Sequence, residues 1–117
     1  MNQVELANTI LGQIKAGIAS DGITGGVVCM RCWAFQYPTA LPAGKYLDDY
    51  QLGGLRFRVS GFKFKGYVFV RVMANDTYTV EFSKLYKGEY NVKKSYERIY
   101  CDQLTSIIDS EVESDDK

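Results

Sequence analysis

The stretch from Leu55 to Tyr96 constrains this chain more than any other. Leu55, Phe57 and Val59 alternate with Arg56, Arg58 and Ser60, the two-residue period of a strand with one buried and one wet face. Residues 67–74 are apolar at both parities apart from Arg71, which suits the middle of a sheet. Tyr78, Val80 and Phe82 then alternate with Thr79, Glu81 and Ser83, so the first set is expected inward and the second outward. Asn75-Asp76 and Lys87-Gly88-Glu89 supply turns between these runs, because Asn, Asp and Gly tolerate positive φ. Gly61 and Gly66 bracket Phe62-Lys63-Phe64-Lys65, a place for a bulge or tight turn, and residues 90–96 make a further strand. Connections this short join antiparallel neighbours.

Helices are expected at both ends. Asn2, with Glu5 three residues later, reads as a capping box. Val4, Ala7, Ile10, Leu11, Ile14 and Ile18 follow at spacings of three and four. Gly12 and Gly17 each weaken that helix by up to ~1 kcal/mol relative to Ala, so it needs a sheet to lie on. Ser20-Asp21-Gly22 and Gly25-Gly26 end it. At the other end Tyr100, Leu104, Ile107 and Ile108 share one face of a helix over 100–109. Residues 27–35 have the β-branched and aromatic composition of a strand. Residues 36–54, punctuated by Pro38, Pro42, Gly44, Gly53 and Gly54, read as a long loop with a helical turn near Lys45–Tyr50. The expectation is an α+β fold: an N-terminal helix, an antiparallel β meander of four to five strands and a short C-terminal helix. It occupies one domain over 1–109, and 110–117 is expected as a disordered acidic tail. A chain of 117 residues has room for one such core.

A formal charge of zero conceals an uneven layout. Residues 1–54 hold three basic and four acidic side chains, residues 55–98 ten and four, and residues 99–117 one and six, giving −1, +6 and −5. A basic sheet is therefore followed by an acidic end.

Several chemistries are argued against by composition. The chain has no histidine, which removes the commonest general base, the commonest metal ligand and every Ser-His or Cys-His pair. Cys29 and Cys32 form a CxxC, but Cys101 brings the thiols only to three, short of a zinc set. Buried or half-buried reduced thiols are the plainer reading. Asp48-Asp49, Asp76 and Asp102 lack partners at a recognisable spacing, and Asp76 and Asp102 suit a turn and a helix start. No catalytic residue, metal site or cofactor is therefore assigned.

Two surfaces remain. Trp33, Phe35, Tyr37, Tyr46 and Tyr50 are aromatic anchors of the kind that protein interfaces use. Arg56, Arg58, Lys63 and Lys65 offer a positive strand face for phosphates, although Lys on a strand also guards a sheet edge.

Four segments carry a resemblance: Leu6-Ala7-Asn8-Thr9-Ile10-Leu11, Leu55-Arg56-Phe57-Arg58, the run Ala74 to Phe82 (ANDTYTVEF), and Ile99-Tyr100-Cys101-Asp102-Gln103-Leu104. They resemble a family of small uncharacterised proteins from phages and mobile elements of gut bacteria, whose members read LSFKL, NAxDTYDVEF and VYADxL in that order. The likeness covers a little over half the chain. It implies an origin on a phage, prophage or plasmid and transfers no catalytic residue. Residues 21–53 depart from the pattern as an insertion, as does the acidic end.

The leading expectation is a non-enzymatic accessory protein of a mobile element that binds a host or phage protein, with antagonism of host defence as its role. Nucleic-acid binding through the basic face and a structural or assembly part in a virion are the alternatives. No membrane partner is expected, a homodimer by edge pairing stays open, and the location expected is the cytoplasm of a bacterial host. No apolar run approaches the roughly 20 residues that span a bilayer, and no signal segment is read at the start.

Overall fold

The computed structural model of the protein describes residues 2–19, 21–47, 49–61 and 63–112. Along the chain come α1 (Gln3–Ala16), α2 (Gly26–Cys32), β1 (Gln36–Leu41), β2 (Gly44–Tyr46), β3 (Asp49–Ser60), β4 (Lys65–Met73), β5 (Tyr78–Tyr86), β6 (Glu89–Ile99), a 3-10 turn (Cys101–Gln103) and α3 (Leu104–Val112). The six strands form one antiparallel sheet in the order β1-β3-β4-β5-β6, with β2 also paired to β3. This is the α+β architecture that the alternation and the two end helices imply.

The three helices cover one face of the sheet. Leu55, Phe57 and Val59 of β3, Val68 and Val70 of β4, and Val80 and Phe82 of β5 lie on that face, all 2% exposed or less. Ala7, Ile10 and Ile14 of α1, Cys29 and the adjacent Trp33, and Leu104, Ile108 and Val112 of α3 close the core from the other side. The capping box forms as expected: Glu5 N donates to Asn2 Oδ1 at 2.8 Å, and Asn2 N donates to Glu5 Oε1 at 3.1 Å. The stripe is narrower than the spacing implied, because Val4 and Ile18 are exposed.

Residues 27–35 are not a strand. They form α2 and its exit, because Gly26, Cys29 and Trp33 are buried at helical spacing while Val27 and Val28 face outward. Gly26 is required there, since a Cβ would overlap the Ile14 carbonyl where α2 crosses α1. Nor are residues 36–54 a loop with a helical turn. Pro38 and Pro42 stand on or beside the edge strand β1, where a missing N–H is tolerated, and β1, β2 and the start of β3 are all paired.

Both expected turns form. Asp76 (φ 68°) closes the β4–β5 hairpin, with Asp76 N bonded to Met73 O at 3.1 Å. Lys87 (φ 51°) and Gly88 (φ 82°) make a two-residue turn between β5 and β6. Gly61 N bonds to Phe64 O in the turn between β3 and β4. Asp102 sits in the first turn of the 3-10 segment.

The C-terminal helix runs further than expected. It reaches Val112, so residues 110–112 are helical, because Leu104, Ile108 and Val112 make one buried row at four-residue spacing. Tyr100 is exposed and does not join that row. The rest of the expected tail, 113–117, lies outside the described residues, as do Ser20, Asp48 and Phe62.

Candidate functional site

Among the described residues the sheet's other face carries no helix, yet it is not simply wet. Thr79, Glu81 and Ser83, expected outward, are 8%, 3% and 0% exposed. Register shifts between Tyr78 and Val80 and between Phe82 and Ser83 mark irregularities in the β5–β6 pairing. Tyr90 of β6 meets Phe69 and Tyr67 edge-on, with ring centroids 5.0 and 5.2 Å apart. On the β2 side, Tyr46 covers the same face, its ring centroid 4.0 Å from the Arg71 guanidinium carbon.

Beneath Tyr46 lies a closed polar network. Arg71 Nε meets Glu81 Oε1 at 3.1 Å and Arg71 Nη1 donates to Gln51 Oε1 at 2.7 Å. Gln51 Nε2 in turn donates to the Pro42 carbonyl, and Tyr46 donates its hydroxyl to Glu81. Burial and that bond push the Tyr46 phenol up to about 12, so it stays protonated at neutral pH. A pocket of about 340 Å³ opens alongside, with Leu47, Asp49, Thr79, Glu97 and Arg98 among its walls. Glu81 is already paired there, which makes the network a brace for the sheet face.

The opposite end of this face is basic. Arg58, Lys65 and Lys84 surround a second depression of about 300 Å³ with Gly66, Tyr67 and Leu85. Arg56 lies beside it on the same face, its guanidinium 5.7 Å from the Tyr90 ring centroid. Lys63, grouped with these residues by sequence, is apart from them and reaches the Ser110 carbonyl at 3.3 Å. Lys84 also borders the depression, but it falls in step with Phe82 on the helical face, and its ammonium lies 5.8 Å from the Phe64 ring centroid.

The five aromatic candidates do not share a surface. Trp33 is wholly buried and donates Nε1 to Asp109 Oδ1 at 3.0 Å. Phe35 packs on Phe57 with centroids 4.5 Å apart, and Tyr46 belongs to the outer network. Tyr37 and Tyr50 are exposed, but Tyr37 follows Gln36, which pairs with Arg58, while Tyr50 pairs with Lys45. They stand at opposite ends of β3.

A different apolar surface lies on the helical side. Ile18, Ile23, Val27 and Val28 are 50%, 85%, 48% and 51% exposed. Asp21 holds this loop in shape, accepting from Ile23 N at 2.8 Å and from Thr24 N at 2.9 Å through Oδ1, and from Thr24 Oγ1 through Oδ2. The N–H groups of Thr24 and Ile23 hold the Asp21 carboxyl below its ordinary pKa. Val27 leads into an apolar groove of about 300 Å³ with Met30, Ala34 and Phe35, flanked by Lys15 and Arg31. Sequence reading missed this surface because it assigned Val27 and Val28 to a strand.

The CxxC thiols diverge in environment. Cys29 is buried, and burial, with Asp109 nearby, pushes its thiol up to about 11, while Cys32 and Cys101 are exposed. Among the described residues no three Cys, Asp or Glu side chains converge as metal ligands, and no helix is long and apolar enough to cross a membrane. Comparison with family models, with curated proteins and with solved structures found no match to this chain.

Proposed function

We propose that this chain is a non-enzymatic accessory protein of a phage or other mobile element that acts in the bacterial cytoplasm by binding a host or phage protein. The observation that carries the binding role is the surface where Asp21 fixes the turn to Thr24 and Ile18, Ile23 and, from the first turn of α2, Val27 and Val28 project into solvent. A preshaped apolar surface loses little conformational entropy on association, and an exposed patch of this kind marks protein contact. The adjoining groove, with Lys15 and Arg31 at its rim, suits an apolar anchor carried on an acidic segment. The mobile-element origin rests on the four resembling segments, and antagonism of host defence is the role proposed for a protein that works by occupancy.

Affinity capture tests the reading. The wild-type chain and an Ile23→Asp/Val27→Asp variant are compared on lysate of the bacterium that carries the gene, at about 0.15 M salt, where exposed charges beyond roughly 8 Å are screened. A protein retained by the wild type and lost by the variant, then confirmed with purified components, is the expected result. Equal capture by both, or none by either, overturns the reading. Concentration-dependent self-association lost in the same variant would assign the patch to a second copy instead.

A further inference from the structure

We propose that the basic end of the outer sheet face binds single-stranded nucleic acid, with Arg58 and Lys65 meeting its phosphates and Tyr67 and Tyr90 meeting its bases. This goes beyond the protein-binding reading and concerns the opposite side of the sheet from Ile23 and Val27. Arg58 and Lys65 are exposed and line one depression, yet neither makes an ion pair among the described residues. In a chain with as many acids as bases, two neighbouring cations left without a carboxylate repel one another. An anion removes that repulsion.

The neighbouring groups point to the kind of anion. Tyr67 forms a wall of the depression, and Tyr90, 38% exposed, stands edge-on to it with Arg56 beside its ring. Ser83 Oγ and Arg56 Nε in this corner are buried without a hydrogen-bond partner among the described residues. In the register, Arg58 faces Tyr67 and Tyr67 faces Ser83, which places cation, ring and hydroxyl in one row across three strands. Cations flanked by tyrosine rings fit a strand whose bases have left the duplex, since every base has a face to stack and every nucleotide a phosphate. Among the described residues no helix lies on this face to enter a major groove. An acidic peptide would use the cations and leave the rings idle.

Fluorescence anisotropy of the full chain with a labelled oligothymidylate tests the proposal. Two phosphate contacts predict a log–log salt slope of about −1.4, so affinity falls roughly 7-fold between about 50 and 200 mM salt. Arg58→Ala/Lys65→Ala, both at exposed positions, is expected to flatten the slope by more than half, and Tyr90→Ala to weaken binding about 5-fold or more. Lys45→Ala, which removes an exposed cation from β2, leaves binding unchanged, and far-ultraviolet circular dichroism confirms that each variant is folded. The proposal is overturned by no binding at about 50 mM salt, by an unaltered slope in the double variant, or by polyglutamate competing as well as the oligonucleotide. That last result would identify an acidic protein as the occupant.

Discussion

The guanidinium of Arg71 and the carboxylate of Glu81 meet at 3.1 Å on the side of the sheet that no helix covers, and their side chains are only 14% and 4% exposed. They are diagonal neighbours, since Arg71 pairs with Thr79 and Glu81 with Phe69. Tyr46 seals them from one side while Gln51 binds the far end of the guanidinium. A face that alternation marks as wet is thus dry at its centre.

Breaking this pair from one side strands a charge. Glu81→Leu leaves Arg71 buried without its partner and is expected to cost about 3 kcal/mol, lowering Tm by roughly 10 °C. Arg71→Met/Glu81→Leu should recover most of that loss, because two apolar side chains fill the same space without desolvated charge. Thermal unfolding of the three chains decides it. Equal loss in the single and double variants would mean that packing, not the stranded charge, sets the cost.

What could be read from sequence follows periodicity. The alternation at 55–59 and 78–82, the Asn2–Glu5 box and the Leu104–Ile108 spacing all translate directly into structure, because each reports a local geometry. The α2 helix was hidden because the β-branched Val27 and Val28 dominate its composition, while the informative spacing is Gly26, Cys29 and Trp33. Residues 36–46 were hidden by their prolines and glycines, which an edge strand tolerates. Burial of Glu81 depends on Tyr46 arriving from β2, a strand not paired with β5, and no local pattern encodes that. The basic end of the outer face is non-local for the same reason: Arg58, Tyr67 and Ser83 form one row only through strand pairing.

Two phenols make stability fall at high pH. Tyr46, buried against Glu81, and Tyr96, buried against Glu111, are both pushed up from 10.0 to about 12. The folded chain holds these protons more tightly than the unfolded chain does. Their contribution is therefore complete below pH 10 and is lost as pH rises from 10 through about 12. Urea midpoints measured across that window should decline, and Tyr46→Phe/Tyr96→Phe should flatten the decline. An identical slope in the double variant would refute this assignment.

The thiols should separate by rate. Cys32 and Cys101 are exposed, whereas Cys29 is 1% exposed with its thiol pushed up to about 11. A chromogenic disulfide reagent at neutral pH is expected to titrate two thiols quickly in the native chain and the third only as the chain unfolds. Cys29→Ser should abolish the slow phase alone. Three equally fast thiols would contradict the packing of α2 against the core.

Val112 anchors the end of the helical layer to the sheet. It is fully buried, and its carbonyl accepts from Lys63 N at 2.8 Å and from Phe64 N at 3.3 Å, tying α3 to the β3–β4 turn. Truncating its side chain removes apolar burial worth about 2 kcal/mol while leaving those backbone bonds in place. Val112→Ala should therefore lower Tm by several degrees, whereas Ser106→Ala, a half-buried position on the same helix, should change it little. Amide exchange at Lys63 and Phe64 gives the more specific reading. Both N–H groups should exchange faster in Val112→Ala than in the wild type, because the carbonyl they bond is then held by a frayed helix end. A destabilised variant whose turn amides keep their full protection would show that α3 and the turn are held independently.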